Sequence, residues 1–416
     1  MRILWFEVTP PAAYVSEKDP IGGWQDSLER VVKGRKDIEL FIAFVSNQES
    51  EVKVIDGVTY IPIVVLRSFG DRLFRKYWDV YADKMLPRAK WIVDKYNPEL
   101  IHVFGTEWPF GLIAEYTNIP VVIHIMGSMI PYNNAFYPPG YSFLKILYQN
   151  LWHLTKMYKL WKKQIDGKNR EEWERKTWLV VKNYMGRTDW DAALSRIMHP
   201  NRNYFHVDEA LRLDFIYSKE TWHFSDDGKL RLISTGCSSF WKGPDMMLKV
   251  AKILTNLKVN FEWLVIGNMN DTLKMVVERQ EGCRFEDCHL QILGFKKPSE
   301  LMYLLCSSTI YVHTAYIENS PNSICEAQCL GVPVVSTNVG GISTLLRNDV
   351  DGVLVAANEP WQMADAILRL FSDRERLIRY SRNSLVKARQ RHNDEHIRSQ
   401  LFQCYYSLLD GKLGQR

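Results

Sequence analysis

The chain has 416 residues, 46% of them hydrophobic, and a formal net charge of +5. That length supports two domains of roughly 200 residues, each with its own core. The near-neutral balance outside one basic segment argues against nucleic-acid binding, and no run of about 18 uncharged apolar residues offers a transmembrane helix.

Apolar runs alternate with helical patterns in both halves, which predicts an α/β protein with parallel sheets built from βαβ units. The opening Met1-Arg-Ile-Leu-Trp-Phe-Glu7 turns acidic too soon for a signal peptide and reads as a first strand over 2–6. Further strands are expected at 38–45, 59–63, 100–104, 121–126 and 178–181. After Gly22 and Gly23, the residues Trp24, Leu28, Val31 and Val32 repeat at helical spacing.

Between Lys145 and Lys176 nine Lys or Arg face four Asp or Glu, so this segment alone carries a net +5. Its basic residues are interleaved with Tyr148, Leu151, Trp152, Leu154, Tyr158 and Trp161. On an amphipathic helix that pattern suits an anionic membrane surface, and equally a helix packed on its own domain with a solvated basic face. Asp189-Trp-Asp191 is an acid-x-acid triplet that suits a divalent metal, or a helix start capped by Thr188 or Asp189. The seven cysteines are an odd number without metal-ligand spacing, as expected of reduced thiols in the cytoplasm.

Asp226-Asp-Gly228 offers a turn at the join between the halves. Strands follow at 230–235, 261–266, 290–293, 309–315, 333–337 and 352–355, and 360–402 reads as a basic helical region.

Glu318 and Glu326 stand seven residues apart in Tyr316-Ile-Glu-Asn-Ser-Pro-Asn-Ser-Ile-Cys-Glu326, with Gly331-Val-Pro-Val-Val335 close behind. The first acid falls in a loop after a strand and the second in the first turn of a helix. Unpaired N–H groups at such a helix start attract anions, while the two acids accept hydrogen bonds from hydroxyls. Phosphate plus polyol is the chemistry of a nucleotide sugar. Taken alone, Ser323-Ile-Cys-Glu326 also fits a capping box.

The stretch from Tyr311 to Val355, with this acid pair, Gly340-Gly341 and Asp351-Gly352-Val-Leu-Val, resembles the signature region of the family 4 (group 1) glycosyltransferases. Leu232-Ile-Ser-Thr-Gly236 followed by Lys242-Gly243, and Leu293-Gly-Phe295, extend the resemblance upstream. It implies the GT-B fold: two Rossmann-like domains facing a cleft, with a final helix crossing back to the first. The implied domains are 1–217 for the acceptor and 218–381 for the nucleotide sugar, with 382–416 as the crossing helix.

The resemblance also implies residue roles. Lys242 would neutralise the departing diphosphate, Glu318 would hold the transferred sugar and Glu326 the ribose. Gly22, Gly23, Asn319, Ser320, Asn322, Ser323 and Ile324 would line the diphosphate, with Gly294 and Phe295 beside the base. The family often has a histidine at the end of strand 121–126. Met126 occupies that position and His124 lies two residues earlier on the same face, either near the reaction centre or buried. Glu107 and Trp108 end another strand and are acceptor candidates, although Glu107 equally suits a cap. Cys237 stands where the family usually has an arginine, and it lacks the bidentate phosphate contact.

The implied activity is retaining, metal-independent transfer of a sugar from a nucleoside-diphosphate donor, UDP favoured, to a saccharide or lipid-linked acceptor. It would take no cofactor and serve surface polysaccharide biosynthesis from the cytoplasm. Peripheral contact with the inner face of the membrane through 145–176 stays open. The alternatives are a nucleotide-sugar epimerase on the same scaffold and a nucleotide-sugar-binding protein without turnover.

Overall fold

The computed structural model describes residues 1–15, 23–66, 68, 70 and 77–413. They fall into two compact units, one of 1–130, 164–210 and 393–416, the other of 131–163 and 211–392. Residues 131–163, read from the sequence as part of the first domain, thus cluster with the second unit.

The first unit is built on an eight-stranded sheet among the described residues. Its order is Lys53–Ile55, Val58–Val64, Glu39–Ser46, Arg2–Glu7, Leu100–Phe104, Val121–His124, Asn183–Gly186 and Asn203–His206. Every pairing is parallel except the edge hairpin of the first two. Central strands are apolar on both faces, as a parallel sheet covered by helices requires. Helix Trp24–Val32 buries Leu28, Val31 and Val32, the residues whose spacing predicted it.

Helix Asp394–Leu413 closes the same core with Ile397, Leu401, Phe402 and Tyr405. The Tyr405 hydroxyl accepts from Trp5 Nε1 at 3.1 Å and lies 2.7 Å from His102 Nδ1. The expected strand at 178–181 is instead the end of helix Leu154–Val180, and the strand begins at Asn183. Trp178 is buried there and stacks on Tyr184, while Leu179 faces solvent. That alternation also suits a helix end, so a short apolar run does not settle its own type.

The second unit has a six-stranded, all-parallel sheet among the described residues. Its order is Leu290–Gly294, Phe261–Ile266, Leu230–Thr235, Ile310–His313, Val334–Thr337 and Val353–Val355. The helical segment Phe143–Gln149, Leu151–His153 and the start of Leu154–Val180 joins this unit through Ile146 and Met157, which are buried in its core. Several of its large residues point outward: Trp152 is 92% exposed, Tyr148 79% and Leu144 76%.

Candidate active site

Strands Leu230–Thr235 and Ile310–His313 are neighbours, and ligands of open parallel sheets bind beyond such carboxyl ends. The loops that leave these two strands are stitched together. Tyr316 N donates to Trp241 O at 2.7 Å, and Thr314 Oγ1 donates to Lys242 O at 3.0 Å. Two glycines permit the approach. Gly243 (φ 72°) lies where a methyl group would strike the Thr314 carbonyl, and Gly340 (φ 53°) where it would strike that of Glu318. Both positions combine left-handed backbone with no room, so glycine alone fits. Gly341 N then donates to Glu318 O at 3.0 Å.

In this frame Lys242 Nζ is ion-paired with the buried Glu318 carboxylate. His313 Nε2 lies 4.0 Å from the same carboxylate. Burial lowers the His313 pKa to about 4, so the ring is neutral near pH 7. His313 Nε2 and Ser320 Oγ are both buried without a hydrogen-bond partner among the described residues. Asn319 and Ser320 lead into helix Asn322–Cys329, whose N-cap, Pro321, makes no side-chain cap. Ile324 N donates to Pro321 O at 3.0 Å, while the N–H groups of Asn322 and Ser323 have no backbone acceptor among the described residues. Those two N–H groups are the ones available to an anion.

Glu326 lies in the second turn of that helix, not the first, and forms no capping box. Arg212 Nε and an η nitrogen donate to its Oε1 at 3.0 and 2.7 Å. Burial raises the Glu326 pKa and Arg212 opposes the rise. Arg212 was not selected from sequence; its only local sign is a position just before helix Leu213–Ile216. Gly294 (φ 67°) ends an outer strand of this sheet, and Phe295 beyond it is 53% exposed. Cys237 is buried, its thiol pKa pushed up to about 11 by burial, with Sγ 3.9 Å from Gly267 O. It brings no charge to the loop.

In the first unit, Gly22 lies outside the described residues. Gly23 N donates to Asp26 Oδ2 at 2.7 Å, so this N–H is already used. His124 is fully buried, edge-on to Trp24 and stacked on His102, with neither ring nitrogen hydrogen-bonded among the described residues. Burial drives its pKa well below the usual histidine value and keeps it neutral.

Glu107 and Trp108 meet residues that sequence reasoning missed. Arg170 lies 3.3 Å from Glu107 Oε1 and above the Trp108 ring at 5.6 Å. Glu174 is buried next to them, accepting from Thr106 Oγ1, from Ser128 Oγ at 3.1 Å and from Met129 N at 2.8 Å. Burial raises its pKa to about 7, and the Glu107 charge adds to the rise. Asp191 of the acid-x-acid triplet is turned into its own helix start, where Oδ2 accepts from Arg187 N at 2.8 Å and Thr188 N at 3.1 Å. Thr188 is the N-cap.

Residues 219–386 match the family described as glycosyl transferases group 1. They are a group 1 glycosyltransferase domain. The domain contains Lys242, Glu318, Glu326 and every strand of the second sheet. Among similar proteins, a D-inositol 3-phosphate glycosyltransferase of Paenarthrobacter aurescens (strain TC1) is 29% identical over 32% of this chain and 33% of its own. The amylovoran biosynthesis glycosyltransferase AmsK of Erwinia amylovora is 28% identical over 34% of this chain and 36% of its own. The chain therefore spans about a third of the length of these curated relatives. The crystal structure of Anabaena HepE in complex with UDP and glucose superposes with a TM-score of 0.63 at 14% identity, covering 98% of this chain and 100% of that one. The fold of the chain is therefore GT-B, with two Rossmann-like units.

Proposed function

We propose that the chain is a retaining glycosyltransferase that moves a sugar from a nucleoside-diphosphate donor, UDP favoured, to a saccharide or lipid-linked acceptor. The observation that carries this reading is the Lys242–Glu318 pair, held beside uncapped helix N–H groups at the ends of two neighbouring strands. On donor binding, the Lys242 ammonium exchanges the Glu318 carboxylate for the diphosphate, and the N–H groups of Asn322 and Ser323 meet the remaining phosphate oxygens. Glu318, released, accepts hydrogen bonds from the sugar hydroxyls, and Glu326 with Arg212 frames the ribose. As the anomeric bond breaks, negative charge grows on the leaving oxygen, where a preorganised cation and N–H donors are most effective. The acceptor hydroxyl attacks on the same face and gives its proton to that oxygen. Lys242 supplies the charge that a metal supplies elsewhere, so EDTA is expected to leave turnover intact.

Two similar proteins support the finer reading. HepE was crystallised with UDP and glucose, and AmsK is named for amylovoran biosynthesis. Surface polysaccharide assembly, with the enzyme resting on the inner face of the membrane, follows as part of the proposal. No helix among the described residues is long and apolar enough to cross a membrane. The exposed Tyr148, Trp152, Leu154 and Tyr158, set among lysines, suit a peripheral contact.

The test is release of nucleoside diphosphate from UDP-, GDP- and ADP-sugars, with and without EDTA, by wild type and Glu318→Ala. Release from one donor, indifferent to EDTA and reduced at least about a hundredfold in the variant, is expected. Donor binding without release in the presence of a saccharide panel would favour the binding-protein alternative. Absence of binding to every nucleotide sugar would end the proposal.

A further inference from the structure

A cavity of about 350 Å³ lies within the second unit, between the start of helix Leu154–Val180 and the loop that follows strand Leu230–Thr235. Lys156, Lys159 and Lys163 line it at i, i+3 and i+7, the spacing that stacks side chains on one helix face. None of the three meets a carboxylate among the described residues. Three ammonium groups around one hollow repel one another until an anion enters.

The opposite wall is equally specific. Trp241 presents its ring, with Lys163 Nζ 5.1 Å from its centroid and 3.4 Å from Ser239 Oγ. At the far end, Asn270, which caps helix Asp271–Glu281 by accepting from Leu273 N at 2.9 Å, is among the lining residues. The chemistry is therefore three cations and several neutral donors, with an aromatic face. Tetrahedral phosphate oxygens suit the first two, and the apolar face of a sugar or polyol suits the third.

We propose that this cavity is a phosphate-binding subsite for the phosphate ester of a sugar or polyol, with phosphate on Lys156, Lys159 and Lys163 and the carbon skeleton against Trp241. Binding there does not depend on the donor reading. A role for the occupant as acceptor does, because Ser239 and Trp241 belong to the loop that carries Lys242. The ester is either free or the head of a lipid.

The experiment is calorimetric titration of glucose 6-phosphate into the full chain, with and without saturating UDP. The variants are Lys159→Gln/Lys163→Gln, which removes the cations, and Trp241→Phe, which keeps them. Wild type is expected to bind the ester equally with or without UDP and to ignore glucose. The double variant is expected to bind at least about tenfold more weakly, with UDP affinity and melting temperature unchanged. Trp241→Phe is expected to keep affinity for inorganic phosphate and lose part of that for the ester. No ester binding by wild type, displacement by UDP, or equal binding by the double variant would overturn the proposal. Failure to bind UDP while the ester still binds would count against the donor reading alone. Co-sedimentation with phosphatidylcholine–phosphatidylglycerol vesicles separates the sources. Release by glucose 6-phosphate assigns the cavity to a lipid phosphate, and indifference assigns it to a free ester.

Discussion

Four acids of each unit are satisfied in opposite ways. In the second unit each of four acids has a cation in hand: Glu318 has Lys242, Glu326 has Arg212, Asp245 has Lys249 at 2.9 Å and Asp351 has Arg347 at 2.7 Å. In the first unit Glu7, Asp26, Glu29 and Glu174 lack an ion pair among the described residues, and burial raises the pKa of all four. Three of them are held by hydroxyl and backbone donors instead: Glu29 by Tyr60, Asp26 by Ala12 N at 2.6 Å, and Glu174 by Thr106, Ser128 and Met129 N. A ligand entering the second unit must therefore compete with a resident partner. The four acids of the first unit answer to protons instead.

The largest effect expected is in the second unit. Gly340→Ala puts a methyl group against the Glu318 carbonyl at a positive φ, so it should cost roughly 3 kcal/mol or more and abolish transfer. A denaturant melt and the release assay check it, and a variant that stays stable and active would show that the glycine turn does not fix Glu318.

Next is Glu174→Gln in the first unit. A folded pKa near 7 against an ordinary value of 4.5 means that the folded state holds its proton longer than the unfolded chain. Its contribution is full below about pH 4.5 and is lost as pH rises towards about 7. The glutamine variant, always neutral, should therefore gain on wild type across that window, by up to about 3 kcal/mol. Parallel stability curves for the two proteins would contradict the assignment of charge to Glu174.

Arg212→Lys keeps the cation and loses the two-nitrogen grip on Glu326. It should cost about 1 kcal/mol and raise KM for the donor more than it lowers kcat. The smallest change is the control. Arg369→Ala breaks an exposed pair with Asp365 and should shift stability by less than about 0.5 kcal/mol, which dissolved salt should erase.

Much of the second sheet was legible in the sequence. Strands at 230–235 and 261–266 fall where they were expected, because buried parallel strands are continuous apolar runs bounded by turn residues. The loop acids and Gly340-Gly341 were legible as a pattern. What lay hidden depended on distance along the chain. Arg212 reaches Glu326 across 114 residues, and no local periodicity announces such a partner. The cluster of Glu107, Arg170 and Glu174 joins a strand end to a remote helix in the same way. The helical pattern around 145–163 was readable, but not which core would take Ile146 and Met157.

The bond between Trp5 and Tyr405 has a consequence for how the protein is made. It joins residues 400 positions apart, in the first strand and the last helix. On the ribosome the second unit has all its residues before the first has Ile397, Leu401 and Tyr405 to close its core. The half that is translated first is therefore the half that matures last, and until then its open apolar face is a natural client for chaperones.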